Sequence, residues 1–179
     1  MSLKEQYRTK MAAALRQEFG YRSVMQVPKV TKIVINVGAS KSLSDTSYLD
    51  IMDKTLMRIT GQKPVRVKAK KSISNFKIRQ GQIVGVRVTL RGGKMWDFLE
   101  RFVNVTLPRV RDFQGLSTKG FDTQGNYTVG FREFLAFPEI SSDEVEKVHG
   151  LEVTVVTSAL TRREGLALLQ QLGFPFKKD

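Results

Sequence analysis

The chain has 179 residues, 41% of them hydrophobic, with 30 Lys and Arg against 17 Asp and Glu and no cysteine. A chain of that length buries roughly 70% of its unfolded surface in one compact domain without staples, and the missing cysteines exclude disulfides, thiolate zinc sites and thiol nucleophiles while fitting a reducing, cytosolic compartment. The formal net charge of +13 points to a polyanionic partner, nucleic acid ahead of an anionic membrane surface; with no apolar leader segment and no bilayer-spanning run, the chain reads as neither secreted nor transmembrane.

Leu3, Tyr7, Met11, Leu15 and Phe19 recur every four residues and predict an amphipathic helix closed by Gly20. After Val27-Pro28, residues 31–37 alternate as a half-buried strand with Ile33, Ile35 and Val37 on one side and Lys32, Val34 and Asn36 on the other. Residues 38–44 read as a loop, and Asp45 as the cap of a second helix carrying Leu49, Met52, Leu56 and Ile59, ended by Gly61 before Pro64. Pro64 opens a short strand in which Val65 and Val67 are expected to face the core and Arg66 and Lys68 the solvent. The next strand, 83–91, sets Val84, Val86, Val88 and Leu90 against Arg87, Thr89 and Arg91.

A third helix follows Gly92-Gly93 with Met95, Phe98, Leu99, Phe102 and Val103, ending near Leu107-Pro108. Residues 109–125 read as loop, 126–131 and 134–137 as short strands, 143–148 as one helical turn, and 151–158 as a final strand. Thr161 to Glu164 forms a capping box for a last helix whose Leu166, Leu169 and Leu172 are expected to face inward, with Gly173 ending it and Phe174 packing back. With no repeat or linker, residues 1–179 read as one α+β domain of two layers: a mainly antiparallel sheet with helices on one face and the other face open.

The positive charge is concentrated. Residues 54–96 contain 12 Lys and Arg and no acid, whereas the flanking segments sum to +3 and −2. On the expected open face stand Lys32 and Asn36, then Arg66 and Lys68, then Arg87, Thr89 and Arg91; cations neutralise phosphates, and Asn, Gln and Thr hydrogen-bond ribose hydroxyls and base edges, so the face suits RNA. An ordinary solvated face is the bland alternative, which the lack of acidic partners disfavours. Residues 70–81, with Lys70, Lys71, Ser72, Asn75, Phe76, Lys77 and Arg79, fit neither helical nor strand periodicity and read as a flexible basic loop that grips a nucleic-acid backbone, Phe76 being available to stack. Tucking of Ile73, Phe76 and Ile78 against the sheet, or an anionic membrane interface, are the competing readings of that loop.

Catalytic chemistry is poorly supplied. The single histidine, His149, reads as a turn residue, and neither a nucleophile with its base nor a metal cluster assembles. Gly92-Gly93-Lys94 lacks Walker spacing, and residues 120–130 lack a dinucleotide-binding pattern. No cofactor, metal or catalytic residue is expected; an RNA-modifying enzyme that binds substrate on its basic sheet is the alternative reading.

Met25-Gln26-Val27-Pro28, Gly61-Gln62-Lys63-Pro64, Phe76-Lys77-Ile78-Arg79-Gln80-Gly81 and Val88-Thr89-Leu90-Arg91-Gly92 occur in that order. Leu107-Pro108-Arg109-Val110-Arg111-Asp112-Phe113, Gly125-Asn126-Tyr127, Phe137-Pro138-Glu139-Ile140 and Gly173-Phe174-Pro175-Phe176 continue the series across nearly the whole chain. The series resembles the bacterial large-subunit ribosomal protein L5 family, which binds 5S ribosomal RNA in the central protuberance. It departs from the usual pattern at Gly38-Ala39-Ser40, where many relatives carry a second glycine, and at Phe134, where glutamine is common.

The resemblance implies that the open sheet face and its adjoining loops seat on 5S rRNA with Lys32, Asn36, Gln62 and Thr89 at the matching positions; with Lys63, Arg66, Lys68, Arg87 and Arg91 these make up the expected ribosomal RNA-binding set. It implies that the 70–81 loop reaches the elbow of peptidyl-site tRNA, and that Arg109, Arg111 and Asp112, with residues 137–148, face a small-subunit head protein in an intersubunit bridge. The remaining implied partners are large-subunit rRNA and neighbouring 5S-binding ribosomal proteins, with no membrane among them.

Overall fold

A computed structural model describes residues 1–39, 46–140 and 148–177. Five strands, β1 (Val30–Gly38), β2 (Val65–Lys68), β3 (Ile83–Leu90), β4 (Tyr127–Phe131) and β5 (Leu151–Thr157), form one antiparallel sheet in the order β2-β3-β1-β5-β4. With the helices this is the α+β class that the alternation and helical stripes predict. The strand cores follow period two: Ile33, Ile35 and Val37 in β1, Val86, Val88 and Leu90 in β3, and Leu151, Val153 and Val155 in β5 are buried.

The chain divides into two compact units. The first comprises Met1–Ile33, Leu90–Val129 and Thr154–Asp179. Here α1 (Leu3–Gln6) passes through a π-helical turn at Tyr7–Met11 into α2 (Ala12–Phe19), and Gly20 ends it at φ 67°, where a side chain would be strained. The third predicted helix is α4 (Gly92–Arg101), carried on by a π turn at Phe102–Thr106 and a 3-10 turn at Leu107–Arg109. The expected capping box heads α5 (Arg162–Gln171), in which the Thr161 hydroxyl accepts from Glu164 N. Its buried face is Gly165, Ala167, Leu168 and Leu169, with Leu172 beyond, rather than one led by Leu166, which is half-buried. Phe174 does pack back, 6.1 Å from the Phe102 ring.

The second unit comprises Val34–Thr89 and Gly130–Val153. Its helix is α3 (Thr46–Thr60), with Leu49, Met52, Leu56 and Ile59 buried. Residues 134–137 are not a strand: Phe134–Ala136 is a 3-10 turn that turns Phe134 and Phe137 into the core. Of the expected loop at 38–44, Gly38 ends β1 and residues 40–44 lie outside the described residues, as do the Asp45 cap and most of the helical turn at 143–148.

Candidate nucleic-acid interface

Residues paired across an antiparallel ladder share a face. β2 pairs with β3 as Val65↔Arg87, Arg66↔Val86 and Val67↔Gly85. Val86 is fully buried, so Arg66 lies on the core side and Val65 stands beside Arg87 on the open side, 64% exposed. This reverses the phase expected for β2. Arg66 reaches α3, donating to Asp53 at 2.8 Å and Asp50 at 2.5 Å; these two carboxylates hold its guanidinium proton more firmly than usual.

Arg66 therefore has acidic partners that sit just before the acid-free run, where a count along the sequence does not pair them with it. Four alternating Val and Arg or Lys residues read equally well in either phase, and the ladder with β3 settles it. A bulge between Val67 and Lys68 then sets exposed Lys68 opposite Ile83.

On the open side of the second unit, Asn36 is half-buried between Ile35 and Val37, whose side chains are turned to the core. Thr89 is likewise half-buried between buried Val88 and Leu90, and Arg87 is exposed. Gln62 joins them through tertiary structure: its Nε2 donates to the Thr89 carbonyl at 3.2 Å, and its backbone N donates to the Thr60 hydroxyl at 3.2 Å. The Thr60 hydroxyl itself donates to Leu56 O at 2.7 Å, fixing the turn to the end of α3. Lys63 beside it is exposed. Gly85 allows β3 to approach β1 closely here, because a Cβ would come within 2.8 Å of the Val37 carbonyl oxygen. Thus β3 and the α3–β2 turn bring Gln62, Arg87 and Thr89 together, with Asn36 on neighbouring β1 and apolar Val65 and Val67 beside them.

Residues 69–82 form a hydrogen-bonded hairpin extension of β2 and β3 rather than a loop without strand character. Ala69 N donates to Gln82 O at 2.8 Å and Gly81 N to Ala69 O at 3.0 Å. Ile73 and Ile78 exchange both backbone bonds, at 2.8 and 3.1 Å, around a 3-10 turn at Ser74–Phe76. Ser72 closes the ladder by accepting from Gln80 N at 2.9 Å, which gives it a structural part inside the finger. Lys77 takes the left-handed conformation at φ 54° that reverses the chain. Lys70, Lys71, Asn75, Lys77 and Arg79 are exposed, Phe76 is 68% exposed at the tip, and Ile73 is 45% exposed, so the apolar residues at the tip do not tuck against the sheet.

The remaining predicted residues belong to other surroundings in the first unit. Lys32 is half-buried on β1 and Arg91 is the exposed N-cap of α4. Arg109 and Arg111 are exposed after α4, and exposed Asp112 turns the chain at φ 51°. Sequence reasoning missed His149. It is a buried residue, not an open turn residue, with its ring 4.5 Å from Phe134 and edge-on to Tyr48 at 6.4 Å. Burial lowers its pKa against the opposing Gly150 carbonyl bond, and Nε2 meets no hydrogen-bond partner among the described residues.

A family model described as ribosomal protein L5 matches residues 23–79, and a second, for the C-terminal region of the same ribosomal family, matches residues 83–176. Among similar curated proteins is the large ribosomal subunit protein uL5 of Carboxydothermus hydrogenoformans, 52% identical over 98% of both chains. The proteins of the same name from Roseiflexus sp. and Acholeplasma laidlawii are each 53% identical, covering 98% and 99% of this chain and 97% and 98% of their own.

Proposed function

The chain belongs to the ribosomal protein L5 family, and from that premise we propose that its second unit seats on 5S rRNA through the open sheet side while the 69–82 hairpin grips peptidyl-site tRNA. It is a structural, non-enzymatic constituent of the large subunit of the cytoplasmic ribosome, associated with ribosomal RNA. The observation that carries the 5S reading is the juxtaposition of Gln62 and Thr89, tied at 3.2 Å beside Arg87 on an uncovered strand surface.

Uncharged amide and hydroxyl groups read shape, ribose hydroxyls and base edges, which is how structured RNA is distinguished from other polyanions. Asn36, Gln62 and Thr89 supply those groups and Lys63, Lys68 and Arg87 supply phosphate neutralisation; Lys32 and Arg91 are cations of the first unit that contact ribosomal RNA there. Arg66 is a positioning residue in this reading, because its fork is occupied by Asp50 and Asp53.

The test is equilibrium binding of purified 5S rRNA by Asn36→Ala, Gln62→Ala and Thr89→Ala. Each loses about 1 kcal/mol, roughly fivefold in affinity, per hydrogen bond removed. Affinities equal to the wild type in all three overturn the sheet-side reading. Exposed Arg109, Arg111 and Asp112 form the contact with the small-subunit head, checked by loss of subunit association on charge reversal at Arg109 and Arg111.

A further inference from the structure

The first unit holds an apolar feature that charge reasoning passes over. Val24 and Met25 are 61% and 82% exposed, and Leu160 is 83% exposed. Their backbone is nevertheless tightly built. Val24–Gln26 is a 3-10 turn with a capping box: Met25 N donates to the Ser23 hydroxyl at 3.2 Å, while Arg22 N and Ser23 N donate to Gln26 Oε1 at 3.2 and 3.4 Å.

The turn is anchored on both sides. Arg16 donates to the carbonyls of Tyr21 and Arg22 at 3.2 and 3.0 Å. Downstream, Val27 and Pro28 are buried and Tyr7 donates to the Pro28 carbonyl at 2.8 Å. Leu160 is linked to the same region through Glu164, which accepts from the Tyr21 hydroxyl at 2.6 Å and from Leu160 N at 2.8 Å.

Exposed apolar side chains on a backbone this constrained are held outward, so covering them costs side-chain entropy but little backbone entropy. Exposed cations Arg22, Lys29 and Arg162 stand near them in the chain, and the nearby carboxylate of Glu164 is engaged on both oxygens. A polarisable thioether and branched apolar groups flanked by arginine and lysine suit an unstacked nucleobase with its phosphates.

We infer that the Ser23–Gln26 turn, with Leu160, is a second RNA contact, on which an unstacked base of 5S rRNA packs against Met25 and Val24. This rests on the 5S reading above. Because the contact is apolar, it contributes affinity without releasing counterions.

Binding of 5S rRNA by Met25→Ser, Val24→Ser and Leu160→Ser, measured over a salt titration, decides it. The first two weaken binding about fivefold to tenfold at every salt concentration and leave the salt slope unchanged, and Arg22→Gln flattens the slope. Leu160→Ser gives a smaller loss of the same kind. A base protected from chemical modification by the wild type becomes reactive with Met25→Ser, while melting temperatures match because the truncated side chains are exposed. Wild-type affinity in Met25→Ser and Val24→Ser, as would hold for a turn covered by a protein neighbour, overturns the inference while leaving the sheet-side reading intact. Failure of the wild-type chain to bind 5S rRNA removes both.

Discussion

The sheet side of the second unit and the hairpin that grows from it both come from one acid-free run of sequence, yet they present opposite chemistry. On the sheet side, Arg66 is occupied by two carboxylates, Val65 takes the open position expected of Arg66, and the uncharged side chain of Gln62 is tied to the backbone carbonyl of Thr89. On the hairpin, Lys70, Lys71, Lys77 and Arg79 are exposed and Phe76 stands out at the tip. A uniform stretch of charge is thus divided by folding into a surface suited to reading shape and a projection suited to gripping phosphate.

Removing the hairpin separates the two most completely. Deletion of residues 72–80 with a short Gly closure lowers peptidyl-site tRNA affinity on the order of a hundredfold, because Lys77, Arg79 and the exposed Phe76 are lost together with the strand pairing that presents Lys70 and Lys71, while 5S rRNA binding stays within about twofold of wild type. Parallel filter-binding titrations check it, and equal losses for both RNAs would erase the distinction. A milder version replaces Lys70, Lys71, Lys77 and Arg79 with Gln: tRNA affinity drops about tenfold and the log–log salt slope becomes shallower by roughly 0.7 to 0.9 for each phosphate left without its cation. Under the same titration, Thr89→Ala shifts the 5S curve without changing its slope.

Acid probes the packed support of the sheet side. Burial lowers the His149 pKa below its ordinary 6.5. The unfolded chain therefore binds the proton first, and stability is lost as pH falls from about 6.5 through the lower folded value. Melting temperature should drop by several degrees between about pH 7.5 and 5, and His149→Phe should reduce that drop. An identical acid response in the variant would assign the loss to other groups.

The smallest effect belongs to Arg66→Met. An exposed ion pair contributes about 0 to 1 kcal/mol, so thermal stability falls by at most a few degrees and the 5S salt slope is unchanged. A slope change like that of an open-side cation would restore Arg66 to the RNA surface.

Much of this molecule is legible along the chain. The helical stripes of α1, α2 and α3, the Thr161–Glu164 capping box and the alternation of β1, β3 and β5 are local signals, each written within a few turns or residues. The 69–82 hairpin is harder to read, because Ile73 and Ile78 pair across a 3-10 turn and a left-handed Lys77, a geometry with no fixed period. Residues 134–137 carry the aromatic content of a strand, but their backbone turns to bury Phe134 and Phe137.

By itself, the sequence determined the α+β class, the boundaries of the long elements, the charged region and the residue types available to RNA, because helix capping, periodicity and net charge depend on neighbours in the chain. Only the tertiary structure decided which side of β2 faces out, that Arg66 meets Asp50 and Asp53, that Gln62 meets Thr89, and that His149 is buried. Those outcomes depend on registers and contacts between residues distant in sequence. A one-residue change of phase exchanges every side chain in a short strand between its two faces.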